Sequence, residues 1–214
     1  MWPLTTDRPR GVLALGAHPD DVEIGCGGTL LRLARRFPGL PVTVVVLTGT
    51  AQRQAEARTA AGLFLAGCRV DVRTSDLPDG RLPAAWDAVK DLLVAVAADV
   101  DVDVDVVLAP RPDDAHQDHR TVAEIAPTLW RDHLLLSYEI PKWDGDLGRP
   151  NVYVPLDEDT AHEKVRLLDK AYPSQSGRDW WDEEMFLGLA RIRGMECRAR
   201  YAEAFHLSKA VLSW

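Results

Sequence analysis

Short apolar runs alternate along this chain with longer stretches in which apolar residues recur every three or four positions. Three short and mostly apolar runs, at residues 13–15, 42–47 and 104–109, are of the kind typical of strands covered on both faces. This alternation predicts an α/β fold with a parallel sheet, right-handed crossovers and helices on both faces. Two helical stripes carry the pattern: Leu30, Leu31, Leu33, Ala34 and Phe37, and Trp86, Val89, Leu92, Leu93 and Val96.

The rest of the chain is less regular and is predicted only in outline. Residues 77–80 (LPDG) predict a turn, and residues 137–156 predict a long loop in which Tyr138 and Trp143 would wall a pocket. Two further helices are expected at about 160–172 and 178–193. We therefore predict one domain over residues 1–214, a Rossmann-like three-layer sandwich with a mostly parallel central sheet.

The composition narrows the class of protein. With 46% hydrophobic residues among 214, the chain can bury one sizeable core, and its net charge of -8 disfavours a nucleic-acid partner. Three dispersed cysteines indicate neither a disulfide framework nor a thiolate zinc site, and no run reaches the roughly 18 to 20 apolar residues of a membrane span. We expect a cytoplasmic protein that acts on a small molecule, without a membrane partner. Whether it forms a homo-oligomer is left open.

Aspartates alternate with valines over residues 99–105. An EF-hand calcium loop that begins at Asp99 would need glycine at Val104 and glutamate at Pro110, so this run does not match one. We expect this run to connect the end of a helix to the third strand, with the aspartate side chains facing water.

Polar clusters follow the first and third predicted strands. Ligands of open parallel sheets bind beyond the carboxyl ends of the strands, so both clusters lie where a site is expected. Imidazoles combined with carboxylates suit a divalent metal ion, with zinc as the leading candidate. Because Pro19 fixes the backbone between the first cluster's histidine and its two acids, one acid can ligate the metal while the other addresses a water. The clusters are His18, Asp20 and Asp21, and His116, Asp118 and His119.

These residues also have structural interpretations. A single histidine at a strand end is more often structural, and Asp20 or Asp21 alone would fit the N-cap of the following helix. The glycines at 25–28 suggest a dinucleotide loop, but they lack the G-x-G-x-x-G spacing and no acid ends the second strand. We expect them instead to let the first helix pack closely on the sheet. A Rossmann-like small-molecule binder or methyltransferase is therefore the weaker alternative.

The motifs HPDDVEIGCGGTL at 18–30 and HQDH at 116–119 together resemble those of the LmbE-like, or PIG-L-like, zinc-dependent deacetylases. The resemblance implies removal of the N-acetyl group from a glucosamine-type sugar or its conjugate, with a zinc ion as cofactor. It implies His18, Asp21 and His119 as the metal ligands. Hydrolysis of a larger amide conjugate is the alternative within the same class.

The resemblance also implies the catalytic residues. Asp20 would be the general base, and His116 would stabilise the oxyanion and protonate the leaving amine. Asp118 would orient His116 and raise its pKa, keeping the imidazole cationic. Members often carry Gly-Glu after the second strand, whereas this chain has Leu-Thr-Gly-Thr at 47–50, so substrate contacts from that segment do not transfer.

Overall fold

The computed structural model describes residues 7–100 and 104–211. Its strands are β1 (Val12–Gly16), β2 (Pro41–Thr48), β3 (Arg69–Leu77), β4 (Val106–Pro110), β5 (Leu134–Tyr138), β6 (Val152–Leu156) and β7 (Tyr201–His206). Its helices are α1 (Asp21–Arg36), α2 (Ala51–Phe64), α3 (Trp86–Asp99), α4 (Gln117–Leu129), α5 (Glu158–Ala171) and α6 (Glu183–Cys197). Within the described ranges, no helix combines the length and apolarity needed to cross a membrane.

All seven strands form one sheet in the order β3-β2-β1-β4-β5-β7-β6. The first five in this order pair in parallel, and β7 pairs antiparallel with both β5 and β6. From β1 the chain builds outward to β2 and β3 on one side and resumes with β4 on the other. The sheet therefore has its topological switch point between β1 and β4, and the predicted α/β fold with a mostly parallel central sheet is confirmed.

The apolar core lies in two layers, one on each face of the sheet. Along β1 the side chains alternate between them, with Val12 and Ala14 in one layer and Leu13 and Leu15 in the other. Helices α1, α2 and α5 cover the first layer, while α3 and α4 cover the second. This arrangement explains why the central strands are continuous apolar runs in the sequence.

The glycines of α1 serve packing, as predicted. A Cβ atom at Gly25 would lie 2.2 Å from Cδ2 of Tyr138, and one at Gly27 would lie 2.7 Å from Cε1 of Phe64. Between these glycines, Cys26 has non-helical dihedral angles, so α1 is kinked there. Side chains of the protein itself fill the space beside the glycines, which argues against a cofactor-binding loop at this position.

The predicted long loop at 137–156 is too long, and this expectation is corrected. Tyr138 ends β5, and residues 152–156 form β6 at the edge of the sheet, so the loop shrinks to residues 139–151. Pro155 made this strand resemble a loop, but an edge strand tolerates proline because one side of its backbone has no partner. The last helix begins at Glu183 and not near 178, because the Asp182 carboxylate caps it by accepting from the Met185 amide.

Helix α3 ends at Asp99 and β4 begins at Val106, in agreement with the predicted helix exit into a strand. Residues 101–103 of the aspartate-valine run lie outside the described residues.

Candidate metal centre and active site

The two predicted polar clusters meet at the carboxyl edge of the sheet. His18 follows β1 and His116 follows β4, and these strands are hydrogen-bonded neighbours at the switch point. The ring centroids of His18, His116 and His119 are 4.6 to 5.1 Å apart. The three histidines therefore form one cluster, which Asp21 and Asp118 join through contacts with His18, although about a hundred residues of sequence separate its halves.

Three side chains within this cluster converge on one point. His18 Nδ1 lies 3.2 Å from His119 Nε2. The Asp21 carboxylate lies 3.4 Å from His18 Nδ1 through Oδ2 and 3.3 Å from His119 Nε2 through Oδ1. A tetrahedral zinc ion with ligands at about 2.0 to 2.1 Å separates its ligand atoms by about 3.3 Å. The spacing of the two imidazole nitrogens fits such an ion, and the Asp21 carboxylate lies against both of them.

Further contacts fix the outer side of each imidazole. His18 Nε2 lies 3.3 Å from Asp118 Oδ2 and 3.1 Å from Asp79 Oδ1. His119 Nδ1 lies 3.1 Å from Asp114 Oδ1. A carboxylate behind a metal-ligating imidazole selects the tautomer and aims the free nitrogen, so the Nδ1 of His18 and the Nε2 of His119 are the atoms presented to an ion.

The acids also determine the charge of this cluster. Burial disfavours a charged His18, but the carboxylate of Asp21 and hydrogen bonds to Asp118 and Asp79 raise its pKa to about 12. Burial opposes charge on His119 too, and Asp21 with Asp114 raises its pKa to about 9. The pKa of Asp21 is lowered well below its usual value: burial raises it, but both imidazoles overcome that effect. The centre thus attracts positive charge, whether of protons or of a metal ion.

Two overlapping groups of donors satisfy the spacing of a metal site among the described residues. One is His18, His116 and His119, and the other is His18, Asp79 and Asp118. The second group uses the outer nitrogen of His18 and the exposed Asp79, so it corresponds to the carboxylates behind a ligand. The first shares two imidazoles with the predicted set of His18, Asp21 and His119 but has His116 in place of Asp21, which neither group contains.

Asp20 has a strained backbone and a charged partner. Its φ of 110° lies in the left-handed region, which is costly for a residue with a Cβ atom. Arg53 Nη2 donates to Asp20 Oδ2 at 2.6 Å and also to the carbonyl of Pro19. Gly49 lets the chain after β2 approach this loop, because a Cβ there would lie 2.7 Å from Cγ of Pro19. Burial raises the pKa of Asp20 to about 7, although Arg53 opposes the shift.

His116 is held as the N-cap of α4. Its Nδ1 accepts a hydrogen bond from the Asp118 amide at 3.2 Å, and its own amide donates to Asp114 Oδ1 at 2.8 Å. A nitrogen that accepts a hydrogen bond carries no proton, so Nε2 is the protonated nitrogen of this ring. Burial, with the neighbouring His119 and His18, lowers the pKa of His116.

Asp118 was expected to orient His116 and raise its pKa. The charge of its carboxylate does act to raise that pKa, but burial and the neighbouring His119 and His18 outweigh it, so the pKa of His116 is lowered overall. That carboxylate lies against His18, and it accepts from the amides of Gly80 at 2.7 Å and Leu82 at 3.0 Å. Its backbone amide, and not its carboxylate, contacts the ring of His116.

Four residues at this site went unassigned in the sequence. Asp79 comes from the predicted turn, Arg53 from α2, Asp114 from the segment before α4 and Lys142 from the 139–151 loop. Lys142 Nζ lies 2.8 Å from Asp114 Oδ1, so it belongs to the same charge network. Asp114 could have been suspected as a site residue, because it lies two positions before the HQDH motif. Nothing in the sequence around Lys142 distinguishes that lysine.

The comparisons agree on the family. The family model described as "PIG-L: GlcNAc-PI de-N-acetylase" matches residues 13–130, which contain both motifs. The Escherichia coli (strain K12) protein named "Uncharacterized deacetylase YaiS" is 30% identical over 182 residues, covering 78% of this chain and 92% of that protein.

Solved structures share the fold. The N,N'-diacetylchitobiose deacetylase from Pyrococcus horikoshii superposes with a TM-score of 0.69 at 23% identity, covering 93% of this chain and 84% of that chain. GalB, the 4-carboxy-2-hydroxymuconate hydratase from Pseudomonas putida KT2440, superposes with a TM-score of 0.71 at 16% identity, covering 96% and 98%. Because a deacetylase and a hydratase both match, the function has to be argued from the site.

Proposed function

The chain belongs to the PIG-L family of deacetylases, which are hydrolases, and on that premise we propose that it is a single-domain, zinc-dependent enzyme for an N-acetylated amino sugar or its conjugate. The proposed products are acetate and a free amine. The observation that carries the proposal is that His18 Nδ1 and His119 Nε2 lie 3.2 Å apart and that the Asp21 carboxylate contacts both, through Oδ2 at 3.4 Å and Oδ1 at 3.3 Å.

We assign these three residues as the metal ligands. They supply two nitrogens and one carboxylate, a set that zinc accepts while one coordination position stays open. A zinc ion held there supplies Lewis acidity, which polarises a carbonyl group and eases the deprotonation of water. Asp118 and Asp114 act as positioning residues, because their carboxylates lie against the outer nitrogens of His18 and His119.

Asp20 is the proposed general base. Arg53 occupies its Oδ2, which leaves Oδ1 to accept a proton from the attacking water. A carbon–oxygen bond then forms at the acetamide carbon and the carbon–nitrogen bond breaks. The proton held by Asp20 passes to the departing nitrogen, so the amine leaves neutral together with acetic acid, which releases its proton to solvent and becomes acetate.

His116 is proposed to hold the developing oxyanion. Its Nε2 carries a proton even when the ring is neutral, because Nδ1 is occupied by the Asp118 amide. Such a donor stabilises a tetrahedral oxyanion by about 3 to 4 kcal/mol. The assignment revises the expectation of a cationic His116 that protonates the amine, and gives that proton transfer to Asp20.

The setting of the reaction is also proposed. A small amino-sugar substrate agrees with the charge balance, and the free thiols of Cys26, Cys68 and Cys197 are consistent with a reducing compartment such as the cytoplasm. Hydrolysis of a larger amide conjugate is the alternative of the same class, and the same groups would carry it.

Metal content and amine release together test the proposal. Protein prepared with zinc is assayed for metal by atomic emission and for amine release from N-acetylglucosamine glycosides. We expect His18→Ala and His119→Ala to lose the ion, and Asp20→Asn to keep it while turnover falls by about 100-fold or more. Equal loss of metal in all three variants would contradict the assigned roles. Protein that neither binds zinc nor changes activity when zinc is added would contradict the metal proposal.

A further inference from the structure

The guanidinium of Arg53 holds the loop that carries the general base. Its Nη2 donates to Asp20 Oδ2 at 2.6 Å and also to the carbonyl of Pro19, so one nitrogen contacts both the side chain and the backbone beside it. Asp20 is the N-cap residue of α1, but among the described residues its carboxylate makes no capping bond to that helix. The orientation of this carboxylate therefore depends on Arg53.

The place of Arg53 in α2 is unfavourable for the helix itself. Arg53 is the third residue of α2, and a cation in the first turn of a helix opposes the helix dipole. Its side chain is also only 17% exposed, so the charge is withdrawn from water. The position of this guanidinium is explained by the groups that surround it and not by the stability of α2.

Two of these groups form a closed ring with Arg53. The Nη1 of Arg53 donates to Glu56 Oε2 at 2.7 Å and to Ser174 Oγ at 3.3 Å, and the Ser174 hydroxyl donates to the same Glu56 oxygen at 2.7 Å. The Ser174 amide donates to the other oxygen of Glu56 at 3.0 Å. Burial raises the pKa of Glu56, but the hydrogen bonds from Ser174 and Arg53 lower it overall, so this carboxylate is charged.

The segment that follows α5 supplies a further support. The guanidinium carbon of Arg53 lies over the ring of Tyr172, 5.2 Å from its centroid. Tyr172 is fully buried, and its hydroxyl donates to Glu23 Oε2 at 2.6 Å, so the ring has a fixed position. The guanidinium is thus held between the loop before α1, the carboxylate of Glu56 and the ring of Tyr172.

This arrangement uses the shape of an arginine side chain. A guanidinium is a rigid plane with donors in fixed directions, whereas a lysine ammonium is a point charge on a flexible stem. Because Nη1 and Nη2 of Arg53 belong to one plane, a change in the contact with Glu56 also moves the nitrogen that contacts Asp20. A displacement of about 1 Å in a reacting group can lower a rate by about 100-fold.

We propose that Glu56 and Ser174 are positioning residues for the general base. They fix Nη1 of Arg53, and the rigid guanidinium in turn fixes Asp20 Oδ2 and leaves Oδ1 aimed at the attacking water. This inference rests on the proposed function, because it takes Asp20 as the general base. Since both residues act through Arg53 and Asp20, their loss should lower turnover and leave substrate and zinc binding unchanged.

Steady-state kinetics on methyl N-acetyl-β-D-glucosaminide, with a competitive chelator titration, tests the inference on the zinc-loaded enzyme. We expect Glu56→Gln to lower kcat by about 10- to 100-fold, and Ser174→Ala by about 2- to 10-fold, with KM and zinc affinity unchanged. Ser174→Thr keeps the hydroxyl and should retain the wild-type kcat. Ser176→Ala is the matched control, because the Ser176 hydroxyl lies in the same segment but donates to the Pro173 carbonyl.

A double-mutant cycle with Asp20→Asn separates positioning from general structural support. If Glu56 acts through Asp20, Glu56→Gln should change the residual kcat of Asp20→Asn by less than about twofold. A loss of the same size in both backgrounds would overturn the inference. So would a rise in KM with unchanged kcat, which would place Arg53 on the substrate, or a loss of zinc, which would make the network a support of the metal site.

A crystal structure of zinc-loaded Glu56→Gln gives a result that needs no turnover. We expect Arg53 Nη2 to leave Asp20 Oδ2 in this variant and to keep that contact in Ser176→Ala. If the contact is lost but the wild type releases amine from no N-acetylated sugar, the deacetylase proposal fails and the positioning of Asp20 by Glu56 stands. If the wild type is active and kcat is unchanged in Glu56→Gln, the inference fails and the deacetylase proposal stands.

Discussion

Gly25→Ala tests whether the absence of a side chain at Gly25 is what lets α1 pack closely on the sheet. The added Cβ would lie 2.2 Å from Cδ2 and 2.7 Å from Cγ of Tyr138, where ordinary contact begins at 3.4 Å. Tyr138 cannot turn aside easily, because it is fully buried and its hydroxyl donates to the Leu15 carbonyl at 2.5 Å. Either α1 moves by about 1 Å or that hydrogen bond breaks.

The magnitude follows from these two routes. Overpacking a well-filled core costs about 1 to 3 kcal/mol, and leaving a buried polar group without its partner costs about 1 to 3 kcal/mol. The better helix propensity of alanine returns up to about 1 kcal/mol. Because either route alone suffices, we expect a net loss of about 1 to 2 kcal/mol in the free energy of unfolding. For a chain of this size, that corresponds to a melting temperature lower by about 2 to 8 °C.

Thermal melts followed by circular dichroism measure the effect, with Gly62→Ala as the control. Gly62 also lies in a helix, but a Cβ there would meet nothing within 4 Å, so this variant should melt about 2 to 4 °C higher. Trimming the ring in Gly25→Ala/Tyr138→Leu should recover part of the loss, which makes the two changes non-additive. A Gly25→Ala protein as stable as the wild type, or strictly additive changes, would refute this account of the glycine.

Three further changes probe the site and its support. Chelation of the metal should lower the melting temperature, and added zinc should restore it. Free zinc at 100 times its dissociation constant should stabilise the folded protein by about 2.7 kcal/mol. A melting temperature that neither treatment changes would count against a bound ion. Asp118→Asn should weaken zinc affinity by about 10- to 100-fold in a competitive chelator titration, because its carboxylate lies against the outer nitrogen of His18; unchanged affinity would remove that role. Glu203→Gln should cost about 3 to 5 kcal/mol in urea unfolding, since it removes the negative charge that compensates the buried ammonium of Lys164, 2.7 Å away. Adding Lys164→Met should restore much of that stability, and no restoration would assign the loss to another cause.

The central strands and the catalytic loop were predictable because their signals are local. Strands buried on both faces are continuous apolar runs, and the polar residues that end them stand out for that reason. The rule that ligands bind at the carboxyl ends of parallel strands then brought His18 and His116 together without knowledge of the sheet order.

Strand β7, on the antiparallel side of the sheet, was not predictable in this way, because it buries a charged residue where an apolar one is expected. In β7 the charged Glu203 is 5% exposed, and it points inward to accept from the amides of Gly28 and Thr29 just after the kink in α1. Lys164 of α5 is also buried, with its Nζ 2.7 Å from Glu203. A buried ion pair has the sequence pattern of a solvated surface, so periodicity assigned no strand here.

The position of the Asp118 carboxylate has a geometric cause. Residues one or two apart on a helix do not face each other, so a carboxylate two positions after His116 and one before His119 is not aimed at either ring. It lies instead at the turn after β3, where it accepts from the Gly80 and Leu82 amides and contacts the Nε2 of His18. The motif therefore delivers its acid to the histidine of the other motif. This contact couples the two clusters through the orientation of His18, and the spacing within HQDH could not predict it.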